Sequence, residues 1–269
     1  MNQEIDILYE RLDTRWNSAN PVKKYIHRSK IDKLYNLLEP QKKMLDVCRG
    51  GSVDGILGVL AAKKGLDVTI CSVDEIYISV IKRFAHNIGV QESITYFICK
   101  PEELPFDNNS FDIVSAIHVL EHVNDFDKSL DEIYRVSREK AIIALPTCLN
   151  ICAMLRIGGC NYYEFSYKSI PALLIGFIKV VIAMLSFRKG VYEMNEELGV
   201  KFKHFLRFPW FMKKQIKQHN FKIVTFGSDG LTIPWLKKIN KLQTVIEKLC
   251  YAPGFRNFGF GSHAYLKKG

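Results

Sequence analysis

The chain has 269 residues, with 38 Lys and Arg against 28 Asp and Glu, and a formal net charge of +10. Hydrophobic residues make up 48% and charged residues 25%, which is ordinary globular usage and excludes a wholly disordered, collagen-like or coiled-coil chain. This length is sufficient for one large domain, or one domain with an insertion, that buries its own core.

The cysteines and the charge distribution indicate the setting of the protein. The seven Cys are scattered without a CxxC pair, which favours a reduced, cytoplasmic protein, and the charged first residues predict no secretory signal. Residues 151–269 hold 19 basic and 6 acidic side chains, so the positive charge belongs to the C-terminal part. Either an acidic partner or an ordinary soluble basic surface accounts for this excess.

Strand and helix patterns alternate over residues 1–150, which predicts βαβ units and a parallel sheet. Helices are predicted over 53–64, over 75–87 and over 127–137. Ser72 followed by Glu75 predicts a capping box that opens the second of these helices. The predicted strands are Lys43–Cys48, Asp67–Cys71, Ile94–Ile98, Phe111–Ile117 and Ala141–Leu145.

Residues 150–200 break this alternation. Ile170 to Phe187 form an apolar run of eighteen residues with one charge, Lys179. A cap or core helix, a helix that touches a membrane, and a true span remain open, although a central Lys is costly in lipid. Beyond it the sequence predicts a helix at Pro209–His219, a strand at Phe221–Phe226, a basic amphipathic helix over 234–250 and a last strand at Phe258–Leu266.

Three stretches occur in an order that resembles a known enzyme family. They are MLDVCRGGS from Met44, then EELPFDNNSFDIV from Glu102, and then VLEHV from Val119 with LDEIYRV from Leu130. Together they resemble the class I S-adenosylmethionine-dependent methyltransferases, and most closely the branch with ubiquinone and menaquinone biosynthesis enzymes. The resemblance covers about residues 40–146.

The resemblance implies a fold and a domain organisation. The fold would be α/β, a Rossmann-like seven-stranded mixed sheet with helices on both faces and a helical insertion after the fifth strand. We expect an N-terminal helical segment (1–40), a cofactor-binding core (41–148), a helical insertion or lid (149–208) and a C-terminal completion of the fold (209–269).

The resemblance also implies S-adenosylmethionine as the cofactor, bound beyond the carboxyl ends of the strands. This sequence departs from the family there, because two of the three loop glycines are replaced, Ser72 stands at the ribose acid and Lys100 at the adenine acid. A modified or weakened cofactor site is therefore expected. The expected cofactor-binding residues are Asp46, Cys48, Gly50, Gly51, Ser72, Val73, Lys100, Pro101, Glu102 and Ser115.

Catalytic and acceptor-binding candidates follow from chemistry and position. His118 and His122 are the candidates for a base, and their spacing of four would place both on one face of a helix. No metal is expected, since a third ligand is not evident. Tyr163, Tyr167 and His204 are candidates for the acceptor pocket.

The sequence is compatible with three functions. The first is methyl transfer to a small or lipid-linked acceptor, by a cytoplasmic protein that lies at the inner face of a membrane with an anionic surface. The second is a methyltransferase-like binding or scaffold protein without catalysis. The third, RNA methylation, is ranked low because the lysines accompany no recognisable RNA-binding module.

Overall fold

The computed structural model describes residues 2–19, 21–49, 54–160, 166–229, 248–249, 252–259 and 261–269. The helices in these ranges are α1 (Asn2–Trp16), α2 (Pro21–Asn36), α3 (Ile56–Lys63), α4 (Glu75–Ile88), α5 (Phe126–Val136), α6 (Ile151–Ile157), α7 (Ile170–Leu185) and α8 (Pro209–Gln218). The strands are β1 (Lys43–Val47), β2 (Asp67–Ser72), β3 (Ile94–Ile98), β4 (Phe111–Ile117), β5 (Ser137–Pro146), β6 (Gly190–Glu197), β7 (Val200–Arg207), β8 (Phe221–Asp229) and β9 (Gly261–Lys268).

The main sheet has seven strands in the order β3-β2-β1-β4-β5-β9-β8. Strands β1 to β5 run parallel, and β9 pairs antiparallel with both β5 and β8. The strand order reverses between β1 and β4, and ligands of open α/β sheets bind at such a switch point, beyond the carboxyl ends of the strands. The predicted Rossmann-like mixed sheet is confirmed.

Helices cover both faces of this sheet. Apolar side chains of α1 to α4 form one buried cluster with the strands, and those of α5 and α8 form a second cluster on the opposite face. Every residue of β4 is buried, as expected for a central strand with helices on both sides. Asp125 caps α5 by accepting a hydrogen bond from the backbone N–H of Lys128 at 3.0 Å.

The segment after β5 folds as a unit of its own, with α6, α7 and the hairpin β6–β7 around a third apolar cluster. Helices α6 and α7 pack backbone against backbone, because a Cβ at Gly176 would lie 1.8 Å from the carbonyl oxygen of Met154. Lys179, the one charge in the apolar run, donates to the carbonyl oxygen of Ile157 at 3.1 Å. The apolar run is therefore tied to α6 rather than isolated.

Two local expectations are corrected. Helix α4 begins after Asp74, whose side chain accepts from the backbone N–H of Ile76 at 2.8 Å, so the predicted capping box at Ser72 is wrong. The insertion is not purely helical, because residues 190–207 form the β6–β7 hairpin. The predicted helix over 234–250 lies almost wholly outside the described residues. The division into four segments remains a prediction.

Candidate functional site

A crevice of about 270 Å³ lies at the switch point of the sheet. Segments that follow β1, β2, β3 and β4 each contribute to its wall, and the hairpin contributes one residue from β7. The lining residues are Arg49, Val73, Lys100, Pro101, Glu102, Val119, His122, Val123, Asn124 and Lys203. Of the predicted cofactor-binding residues, Val73, Lys100, Pro101 and Glu102 are thus brought together.

Asp46 lies below the crevice and is fully buried in β1. Its carboxylate accepts hydrogen bonds from the backbone N–H of Gly58, at 2.8 Å, and from the hydroxyl of Ser115. Burial raises the pKa of Asp46 to about 7, against the opposing effect of these two bonds. Asp46 and Ser115 therefore join β1, β4 and α3, and neither contributes to the lining of the crevice.

Ser72 and Cys48 are buried at the ends of β2 and β1. The Ser72 hydroxyl donates to the backbone carbonyl of Arg49 at 3.2 Å, so it fixes the segment after β1. Burial raises the pKa of the Cys48 thiol well above its usual value. Gly50 and Gly51 lie outside the described residues.

The lining of the crevice combines apolar walls with an excess of positive charge. Val73 is 43% exposed and offers an apolar surface at the tip of β2. Three cationic side chains, Arg49, Lys100 and Lys203, oppose one carboxylate, Glu102. Glu102 accepts from the backbone N–H of Asn124 at 2.9 Å, which fixes it at the rim. This arrangement suits a ligand with a flat apolar ring, hydroxyl groups and a carboxylate.

His118 follows β4 in a turn and not in a helix, with a left-handed φ of 54°. Its Nδ1 lies 3.3 Å from Glu121 Oε1, and its Nε2 contacts the amine of Lys30 from α2. Burial would raise the pKa of Glu121, but the hydrogen bond with His118 and the electrostatic effect of the three neighbouring histidines outweigh it and hold that pKa at about 2. Burial lowers the pKa of Lys30. The two candidate histidines do not share a helical face as predicted.

His122 lines the crevice and meets the other predicted histidine, His204. Their Nε2 atoms lie 3.0 Å apart, and His122 Nδ1 lies 3.0 Å from the Nη1 of Arg49. Burial lowers the pKa of His122 to about 3; the charge of Glu121 opposes this effect, and His204 and Arg49 add to it. His204 Nδ1 in turn lies 2.9 Å from the buried Glu193. His122 is therefore neutral at physiological pH.

The one candidate tyrosine of the insertion that the structure describes does not line the crevice. Tyr167 is 77% exposed at the start of α7, and Tyr163 lies outside the described residues. Sequence reasoning missed Lys30, Glu193 and Lys203, which no local motif marks. In the part of the chain that the structure describes, no cluster of three or more His, Cys, Asp or Glu could hold a metal ion.

Comparison with known proteins agrees with this geometry. Residues 45–145 match the methyltransferase domain family. The ubiquinone/menaquinone biosynthesis C-methyltransferase UbiE of Rickettsia felis is 27% identical over 137 residues, covering 48% of this chain and 53% of that protein. UbiE of Brucella abortus is 28% identical over 153 residues, covering 55% and 56%. This chain spans about half the length of the curated relatives it matches.

Solved structures share the fold at low identity. A SAM-dependent methyltransferase from Methanosarcina mazei superposes with a TM-score of 0.57 at 14% identity, covering 88% of this chain and 96% of the other. Magnesium protoporphyrin IX methyltransferase from Synechocystis, solved with bound SAH, gives 0.56 at 13% identity, covering 98% and 99%. The resemblance to class I S-adenosylmethionine-dependent methyltransferases and to their UbiE-like branch is confirmed, and the matched domain implies S-adenosylmethionine as the cofactor.

Proposed function

We propose that this chain, which carries a class I methyltransferase domain over residues 45–145, transfers a methyl group from S-adenosylmethionine to a small or lipid-linked acceptor. The observation that carries the proposal is the crevice at the switch point, lined from the ends of four parallel strands. The cofactor supplies an activated methyl group on a cationic sulfur. The protein's task is then to hold the acceptor in line with it and to exclude water.

The residues of the crevice fit this cofactor, although they differ from the family pattern. Val73 and Val123 offer apolar surface to the adenine ring, and Glu102 offers carboxylate oxygens to hydroxyl or amine groups. Arg49 and Lys100 offer charge-assisted hydrogen bonds to the cofactor's carboxylate. The buried hydroxyl of Ser72 acts only through the Arg49 carbonyl, so we expect weaker binding than with an acid at that position.

The acceptor side of the proposal rests on the insertion. A groove of about 750 Å³ runs between the end of α7 and the hairpin. Its apolar lining includes Ile182, Phe187 and Phe205, and its basic lining includes Arg188 and Lys189. Such a groove suits the tail of an amphiphile.

A membrane contact is proposed for the outer face of α7. Among the described helices, the segment Tyr167–Leu185 is long and apolar enough to span a bilayer, with a mean hydropathy of 2.0, and only 22% of it is buried. Residues 166–192 contain four basic side chains and no acidic ones, which complements an anionic lipid surface. The outer face consists of Leu174, Ile175, Phe177, Ile178, Ile182 and Leu185, each 46–70% exposed. We propose that this face lies in the interface of the membrane without crossing it.

Calorimetry with S-adenosylmethionine and S-adenosylhomocysteine tests the cofactor. We expect micromolar binding, and about tenfold or greater weakening in the Glu102→Gln variant, because the carboxylate loses a charge-assisted bond. Glu103→Gln is the matched control, since its exposed side chain removes the same charge beside the crevice without lining it. Absence of binding at millimolar cofactor would contradict the proposal and favour a scaffold without catalysis.

Sedimentation with liposomes tests the membrane contact separately. We expect binding to vesicles that contain anionic lipid at low salt, and at least tenfold weaker binding for Ile178→Glu. Val224→Glu is the control, because Val224 is also 54% exposed but lies on β8, outside the insertion. Equal binding of the two variants would contradict a contact through α7.

A further inference from the structure

A line of hydrogen-bonding side chains leads from the crevice into the insertion. Arg49 Nη1 lies 3.0 Å from His122 Nδ1, and His122 Nε2 lies 3.0 Å from His204 Nε2. His204 Nδ1 lies 2.9 Å from Glu193 Oε1. The first two residues belong to loops after β1 and β4, whereas His204 and Glu193 face each other across the hairpin.

The chemistry of the groups assigns every proton along this line. A guanidinium can only donate, and Arg49 Nη1 lies nearer to His122 Nδ1, at 3.0 Å, than to Nε2, at 3.4 Å, so Nδ1 is the acceptor. A neutral imidazole carries one N–H, which in His122 is then on Nε2 and donates to His204 Nε2. The proton of His204 is therefore on Nδ1, where it donates to the Glu193 carboxylate. This assignment satisfies the three contacts, and Arg156 Nη2, which lies 3.4 Å from the protonated Nδ1 of His204, then donates to Glu193 instead.

The far end of the line carries a buried carboxylate, Glu193, and the guanidinium of Arg156 lies beside it. His122 is buried and faces Arg49, His118 and Glu121. Glu193 is 3% exposed and also pairs with Arg156. Its second oxygen, Oε2, is buried and lacks a hydrogen-bond partner within the described ranges, so it keeps acceptor capacity.

We propose that His122, His204 and Glu193 form a proton relay that carries the acceptor's proton out of the crevice. This inference rests on the proposed function. As the acceptor's bond to hydrogen breaks, its electron pair stays on the atom that attacks the methyl carbon, and the proton binds His122 Nδ1. The Nε2–H bond of His122 breaks at the same time, and that proton binds His204 Nε2.

The relay leaves His122 neutral in its other tautomer and creates an imidazolium at His204, beside the carboxylate of Glu193. Burying a charge is tolerated only where an opposite charge meets it, and Glu193 supplies a carboxylate that His204 shares with Arg156. The pKa of about 3 at His122 agrees with this description, because the charge does not remain on that ring. Arg49 occupies the receiving nitrogen, so it must first turn to an anionic partner such as a ligand carboxylate.

Nitrogen NMR of the full chain with ¹⁵N-labelled histidine tests the relay, with signals assigned from His122→Gln and His204→Gln. We expect the Nε2–H tautomer at His122, the Nδ1–H tautomer at His204 and a scalar coupling between their Nε2 atoms. Opposite tautomers, or loss of the coupling at neutral pH, would overturn the proposal. None of these signals requires the cofactor, so they stand apart from the calorimetric test of the proposed function.

Exchange of the bridging proton with solvent separates a relay from a purely structural network. Glu193→Gln removes the charge that stabilises the His204 imidazolium, so transfer and exchange should slow about tenfold or more. In a structural network the same substitution loosens the contact, and exchange stays equal or becomes faster. Glu196→Gln is the control, because it removes the same charge from an exposed position on the same strand and should leave the exchange rate unchanged.

Discussion

The packing of α7 on α6 gives a sharp test of the insertion. In the substitution Gly176→Ala the new methyl would lie 1.8 Å from the carbonyl oxygen of Met154 and 2.6 Å from its carbonyl carbon. These atoms belong to the backbone, so no rotamer change relieves the clash. The two helices must therefore separate or tilt by more than an ångström.

The cost follows from overpacking of a buried contact, which is about 1–3 kcal/mol. For a protein of this size each kcal/mol lowers the melting temperature by about 2–4 °C. We therefore expect Gly176→Ala to melt about 2–12 °C lower by differential scanning calorimetry. Weaker liposome binding should accompany this, since the outer face of α7 moves with the helix.

The control for this substitution is Gly254→Ala. Gly254 has a right-handed helical conformation, with φ of −75° and ψ of −46°, and a Cβ there meets no atom within 4 Å. This change should be neutral or stabilise by about 0.4–1 kcal/mol, through the unfolded state. If Gly176→Ala melts at the same temperature as Gly254→Ala, the close approach of the two helices is refuted.

Two buried acids predict opposite pH dependences. Burial raises the pKa of Asp46 to about 7, so the folded wild type binds more protons than the unfolded chain and loses stability as pH rises from about 4 to 7. Over that range the free energy of unfolding of Asp46→Asn, measured by urea titration, should increase by up to about 4 kcal/mol relative to wild type. An unchanged difference between pH 4 and 8 would contradict an ionisable buried Asp46. Burial alone would raise the pKa of Asp229, but His263, 2.6 Å away, outweighs this effect and holds that pKa at about 2. The ionised Asp229 therefore stabilises the fold above about pH 4, and this contribution is lost as pH falls through about 2. His263→Gln should lower the free energy of unfolding by about 3–5 kcal/mol at pH 7 and by clearly less at pH 3. Equal losses at the two pH values would contradict the pairing of His263 with Asp229.

The parallel half of the sheet could be predicted because its strands are short, mostly apolar runs that alternate with helical patterns. The predicted bounds of β3 and β4 agree with the structure at both ends. The hairpin escaped notice because its buried face carries Glu193 and His204, which hide the alternation of apolar and polar residues. Its turn is made by Leu198 and Gly199, both with left-handed φ, a pair that sequence alone does not mark strongly.

The site was predictable in position but not in detail. The ends of successive parallel strands meet by topology, so Val73 and Lys100 could be placed together from the sequence. The contact of His122 with His204 joins residues 82 positions apart and depends on how the hairpin docks. The inward orientation of Asp46 depends likewise on a hydroxyl from the neighbouring strand, contributed by Ser115.

The bond from Lys179 to the end of α6 determines what kind of membrane protein this could be. The Lys179 amine of α7 donates to the Ile157 carbonyl of α6, so α7 cannot enter the bilayer core by itself unless this hydrogen bond breaks. Attachment would thus be a partitioning of the whole folded molecule between the membrane surface and the surrounding solution. Washing with concentrated salt or alkaline carbonate should release it from vesicles, with no need for detergent.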